Sequence, residues 1–246
     1  MRITGGIICV IGAALTLQHA FPAKAQLEPQ VQTGSRIAVK PRVVDPIMAG
    51  SIKKGFGRCA LRMRKDASAA IMSRSDPVNV DWQAVGIKRE KFFSAQGLRE
   101  CLGKEANDLQ LALGMSLNDS SFRAILMEEA YLQRFDSAPT LPEGAAEQTD
   151  RTYVSKGNDL PSAMGLGQFA DCLTFRGTAE SDAILRTAPG TKAELTAAQA
   201  MAPILGECLV EGQKVSLTPT SIRALVADGL WVRYGRNSSS ALAQGK

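Results

Sequence analysis

Three cysteine- and arginine-bearing blocks occur twice along this chain in the same order, and this duplication constrains the fold more than any other feature. Phe56-Gly57-Arg58-Cys59 matches Phe169-Ala170-Asp171-Cys172, and Ala70-Ile71-Met72 falls at the same offset as Ala183-Ile184-Leu185. Leu98-Arg99-Glu100-Cys101-Leu102 matches Leu205-Gly206-Glu207-Cys208-Leu209. Ser121-Phe122-Arg123-Ala124-Ile125-Leu126 matches Ser221-Ile222-Arg223-Ala224-Leu225-Val226, with Tyr131 and Trp231 nine residues beyond Phe122 and Ile222. The separation drifts from 113 to 107 to 100 residues, so insertions distinguish two copies of one supersecondary unit.

The blocks read as helices. Phe56, Cys59, Ala60 and Met63 share one face at helical spacing, while Arg58, Arg62 and Lys65 share the opposite, basic face. In the second copy Phe169, Cys172 and Leu173 keep the apolar stripe, but Arg176 stands where Met63 stood and must pair or snorkel. Ile222, Leu225, Val226, Gly229 and Leu230 form the stripe of a last helix, with Thr218 as N-cap and Pro219 at its first position. Phe122, Ile125, Leu126, Glu129 and Ala130 follow suit behind Asn118 or Asp119. Thr196 to Gln199 reads as a capping box, and Pro203 should kink or divide the helix that follows. Leu109, Leu111 and Leu113, like Val215 and Leu217, alternate with other residues as short extended connectors.

The N-terminus reads as a secretory signal. Arg2 supplies the positive region, Gly5 to Leu17 the apolar core, and Ala23-Lys24-Ala25 a small-x-small cleavage site before Gln26. No other stretch approaches 18 consecutive apolar residues, so the mature chain is expected to be soluble and exported to the periplasm or beyond. The expected layout is a signal peptide over 1–25, an extended arm over 26–50, helical repeats over 51–135 and 166–234, a Pro/Gly-rich linker over 136–165 and a disordered tail over 235–246. The fold class is mainly α: two tandem disulfide-stapled helical repeats with at most short extended connectors.

Cleavage removes the single histidine, His19, and with it any Ser-His-Asp or Cys-His mechanism, histidine-ligated zinc or imidazole switch. Four cysteines remain: Cys59, Cys101, Cys172 and Cys208. An even number in an oxidising compartment points to two disulfides, of three possible connectivities. Zinc is excluded because no CxxC pair exists. Each cysteine lies on the apolar face of its helix, and two helices packing within a copy would pair Cys59 with Cys101 and Cys172 with Cys208. No cofactor or metal is implied.

Ten basic residues oppose Asp45 and Asp66 between Arg36 and Arg74, whereas the mature chain as a whole is only weakly positive. Two readings follow: a surface for an anionic envelope component, centred on Arg58, Arg62 and Lys65, or a face neutralised by a neighbouring acidic element. Nucleic acid does not fit, since aromatic residues for base stacking are not interleaved. Glu100, Glu207, Glu128, Glu129 and Asp228 are the carboxylates available for acid/base hydrolysis of envelope material, and helix-surface positions are the plainer account of them. Arg123 and Arg223 read as structural partners of a carboxylate or carbonyl. Gly165-Leu166-Gly167 has no preceding strand and cannot be read as a phosphate cradle.

The F-x-x-C, E-C-L and S-[FI]-R-A blocks, over residues 55–135 and 166–234, resemble those of a group of uncharacterised exported bacterial proteins with repeated cysteine-containing helical units. The resemblance implies helical architecture and export, and it implies no activity. The function expected is a non-catalytic binding or scaffold module of the cell envelope, with a carboxylate-dependent hydrolase as the alternative.

Overall fold

A computed structural model describes residues 45–95, 98, 100–102, 115, 117–209 and 217–236. The expected signal peptide, most of the expected arm, the alternating leucines 109, 111 and 113, Val215 and most of the expected tail lie outside the described residues. Those described are mainly helical, with one isolated bridge between Ser75 and Val80 and no strand.

Helix α1 spans Pro46–Met63 and α2 Lys65–Ser73, followed by the short α3 (Trp82–Val85) and α4 (Arg89–Ser94) and the long α5 (Asp119–Arg134). The second half supplies α6 (Asp159–Arg176), α7 (Thr178–Arg186), α8 (Lys192–Ala200), α9 (Ala202–Cys208) and α10 (Pro219–Leu230), which runs into a π-helical turn over Trp231–Gly235. Helices α1 and α6 have equal length and begin 113 residues apart, as do α2 and α7. Helices α5 and α10 begin 100 residues apart, each behind a side-chain cap.

The caps explain the boundaries. The Asp45 carboxylate accepts from the amides of Ile47 and Met48, so α1 starts at Pro46 and takes the last five positions assigned to the extended arm. Asn118 caps α5 through the Ser121 amide, and Thr218 forms a reciprocal box with Ser221 at α10. The box expected at Thr196 is displaced: Thr191 accepts from the Glu194 amide and starts α8, leaving Thr196 inside the helix. Pro203 divides the segment as expected, since α9 restarts beyond Met201 with the proline in its first turn, where no amide is lost.

Two apolar cores form, each beside one disulfide. Phe56, Phe92, Phe122 and Leu126 surround the Cys59–Cys101 bond, and Phe169, Leu173, Tyr131 and Val226 the Cys172–Cys208 bond. Trp231 packs against both. Burying a side chain of this size stabilises by roughly 1.5–3 kcal/mol. Close approach is permitted by a glycine on alternate partners: Gly57 of α1 faces Ile125 of α5, and Gly229 of α10 faces Ala170 and Thr174 of α6.

Two expectations about the first basic helix are corrected. Met63 is 45% exposed at the end of α1, where the chain breaks helical geometry at Arg64, although Ala60 in the same turn is buried. Lys65 consequently opens α2 rather than continuing the face of Arg58 and Arg62. Arg176, the residue at the place of Met63, pairs with Glu147 and Glu207. The expected linker is also shorter, since α6 starts at Asp159, and side chains along it are anchored.

Candidate functional site

The most charged part of the interior is the seam between α5 and α10, and its pairs are reciprocal. Arg123 on α5 pairs with Asp228 on α10, while Arg223 on α10 donates from Nε and Nη2 to the two oxygens of Glu128 on α5, both at 2.9 Å. In each helix the carboxylate stands five residues after the arginine. Both arginines are buried. Arg223 further donates to Glu194 at 2.9 Å and to the carbonyls of Ile184, Leu185 and Thr187, and Arg123 donates to the Ser75 hydroxyl.

The two ends of the seam are completed differently. At the α6 end the segment between the halves delivers Arg151, which binds Asp171 at 2.6 and 3.0 Å and Asp228 at 2.6 Å. The same segment is held by Thr149 donating to Asp171, and by Val154 and Ser155 donating to Asp76. At the α1 end the cation belongs to the helix itself. Lys54 reaches Glu128 at 2.5 Å and Glu129 at 3.6 Å, and Arg58 donates to Glu129 at 3.0 Å.

Burial alone raises a carboxylate, and neighbouring cations or hydrogen-bond donors can outweigh it. Asp228 is held below the ordinary aspartate range because Arg123 and Arg151 outweigh its burial. Arg151 is pushed above its ordinary value: its burial is outweighed by Asp228 and Asp171. Asp76 also lies below the usual range, its burial outweighed by hydrogen bonds from Asn79, Ser155 and Val78. Glu129 is raised, since burial exceeds the pull of Lys54 and Arg58.

Glu128 and Glu129 are therefore buried ion-pair partners rather than helix-surface carboxylates, because α1 and α10 close over them. Glu100 and Glu207 stay exposed, the latter paired with Arg176. Glu128 and Glu194 line a cavity of about 270 Å³ together with Lys53, Lys54 and Arg223. Both carboxylates there are already committed to arginine or lysine, an arrangement suited to rigid packing and poorly suited to proton transfer.

The expected basic trio is brought together only in part. Arg58 is tethered to Glu129 although 61% of its side chain is exposed. Arg62 is exposed, with Nη2 3.9 Å from Cys59 Sγ, and Lys65 and Lys53 are exposed as well. Among the described residues none of these last three makes an ion pair. The four cysteines form the within-half pairs Cys59–Cys101 and Cys172–Cys208. Sequence reasoning passed over Arg151, Lys54, Glu194 and Asp171. Only Asp171 carried a signal, a carboxylate beside a cysteine on an otherwise apolar stripe.

The described residues define a disulfide-bonded, mainly helical protein with a charge-paired interior. Comparison with protein-family models, curated proteins and solved structures gave no match.

Proposed function

We propose that this protein is an exported, non-catalytic binding module of the cell envelope, engaging an anionic surface through the basic side of α1 and α2. The observation that carries the reading is the contrast between inside and outside. The buried carboxylates of the seam are matched by cations, whereas Lys53, Arg62 and Lys65 stand exposed without an ion pair among the described residues. Exposed, uncompensated cations attract polyanions at range, and the attraction is screened within about 10 Å at 0.1 M salt. Export is supported by the signal-like N-terminus and fits two disulfides. None of the described helices is long and apolar enough to cross a membrane.

The test is retention on anionic vesicles and on an acidic polysaccharide as salt is raised. Retention should be strong at low salt, fall steeply with added salt, and be mostly lost when Lys53, Arg62 and Lys65 are changed together to Glu with the helical signal intact. Arg58 is left in place, because its removal would uncover buried Glu129 and confuse binding with stability. Unchanged retention by the folded variant would refute the reading. N-terminal sequencing of protein recovered outside the cytoplasm should begin at Gln26, and a start at Met1 would refute export by cleavage.

A further inference from the structure

We infer that the Cys59–Cys101 bond is a site of thiol–disulfide exchange, open to a dithiol reductant at Cys59 Sγ, whereas Cys172–Cys208 is closed to it. The two bonds are built alike and differ in their surroundings, so each serves as the reference for the other. Both join cysteines within one half, with sequence separations of 42 and 36. Cys59 and Cys172 each stand four residues before the end of an 18-residue helix, and Glu100 and Glu207 each precede the second cysteine of their pair. The influence of the helix end and of that glutamate is therefore common to both bonds.

Access and charge are not. Cys172 and Cys208 are 6% and 5% exposed and Cys101 is 2% exposed, but Cys59 is only half-buried at the margin of its core. An external thiolate therefore reaches the first bond at Cys59. Arg62, one turn along α1, brings Nη2 to 3.9 Å from Cys59 Sγ and has no ion pair among the described residues. Arg58 beside it is held by Glu129, so Arg62 supplies the uncompensated charge at the sulfur. The places of Arg58 and Arg62 in the other half hold Asp171 and Phe175. There Phe175 lies under the Arg233 guanidinium at 5.3 Å, Asp171 is bound by Arg151, and Arg176 is taken up by Glu147 and Glu207.

A cation at Cys59 acts twice: it attracts the attacking thiolate, and it favours the Cys59 thiolate when that sulfur later leaves. In the first step a partner thiolate bonds to Cys59 Sγ, the bond to Cys101 breaks, and Cys101 departs as a thiolate that takes up a proton in its apolar surroundings. In the second the partner's other thiol, deprotonated, attacks the partner sulfur of the mixed disulfide, and Cys59 leaves as a thiolate. The dithiol is oxidised to a disulfide by two electrons and the protein bond is reduced by two. Two protons leave the dithiol, one to Cys101 and one to Cys59 or solvent. Reduction thus unclasps the first half and leaves the second clasped. The site does not depend on the anionic-surface reading, although Arg62 belongs to both.

The folded, fully oxidised protein is exposed to dithiothreitol at neutral pH without denaturant, quenched by alkylation at intervals and peptide-mapped. Label is expected at Cys59 and Cys101 at least about tenfold faster than at Cys172 and Cys208. With the monothiol glutathione, the trapped mixed disulfide should sit on Cys59. The exposed Arg62 can be changed without touching the core. Arg62→Gln should slow opening of the first bond about threefold at low salt, Arg62→Lys should restore it, and added salt should erase the difference, with the second bond unaffected throughout. Equal opening of the two bonds, earlier opening of Cys172–Cys208, glutathione on Cys101, or an Arg62→Gln rate equal to the parent's at low salt would overturn the inference. None of these outcomes alters retention on anionic vesicles, so the two readings fail separately.

Discussion

At the scale of residues, the buried charges differ sharply in what they contribute. Asp228 pairs with two buried arginines, and Asp228→Ala would leave Arg123 without a carboxylate while Arg151 keeps Asp171, a loss that should cost about 3–5 kcal/mol in urea unfolding. Glu129 stands in the opposite situation. Burial disfavours its charge even beside Lys54 and Arg58, and Glu129→Gln should change stability at neutral pH by no more than about 1 kcal/mol. The pH dependences have opposite signs. Asp228 and Asp76 sit below their ordinary value of 3.8, so their contribution is present above it and drains away as pH falls toward the depressed values. Glu129 sits above its ordinary 4.5, so the folded state holds that proton more tightly and stability from this group declines as pH rises through the window just above 4.5. Asp76→Asn should accordingly flatten the acid limb of a stability profile, and Glu129→Gln should remove the decline above it. Unfolding midpoints measured from pH 2 to 8 will separate the two.

At the scale of elements, legibility followed locality. Thr218 with Pro219, Asn118 and the break at Pro203 were readable because a cap or a missing amide acts within three or four residues. Thr196 misled because its sequence context suits a cap equally well, and the choice went to Thr191, where the Glu194 carboxylate also accepts the Gly190 amide and binds Arg223. Thr191→Ala should cost about 1 kcal/mol, whereas Thr196→Ala should be neutral or slightly stabilising, since alanine is the better helix former; thermal unfolding of the pair decides. The segment 136–165 reads as a plain linker, because proline and glycine mark irregular backbone without saying whether it is anchored or where the next helix begins. Its anchor is Arg151. Arg151→Ala should therefore expose this segment to limited proteolysis at protein concentrations where the parent resists, with cuts mapped between Asp136 and Asn158.

At the scale of the whole molecule, two disulfides and one charged seam hold the helices. The bonds close loops of 42 and 36 residues, each worth about 4 kcal/mol in the loop-entropy model. Replacing Cys172 and Cys208 together by alanine should lower stability by up to that amount while leaving Cys59–Cys101 intact on non-reducing peptide mapping. The sequence by itself determined the mainly helical character and the starts of α5 and α10, and it pointed to the within-half cysteine pairing, because periodicity and caps are written in short windows. It also marked Arg123 and Arg223 as arginines needing partners. Which partners they found was decided by tertiary structure alone, since Arg223 meets Glu128 across 95 residues and Arg151 meets Asp228 across 77. Whether a carboxylate on a helix faces water or lies in a matched interior depends on the helix laid over it, and for Glu128 that includes α10 from the far half of the chain.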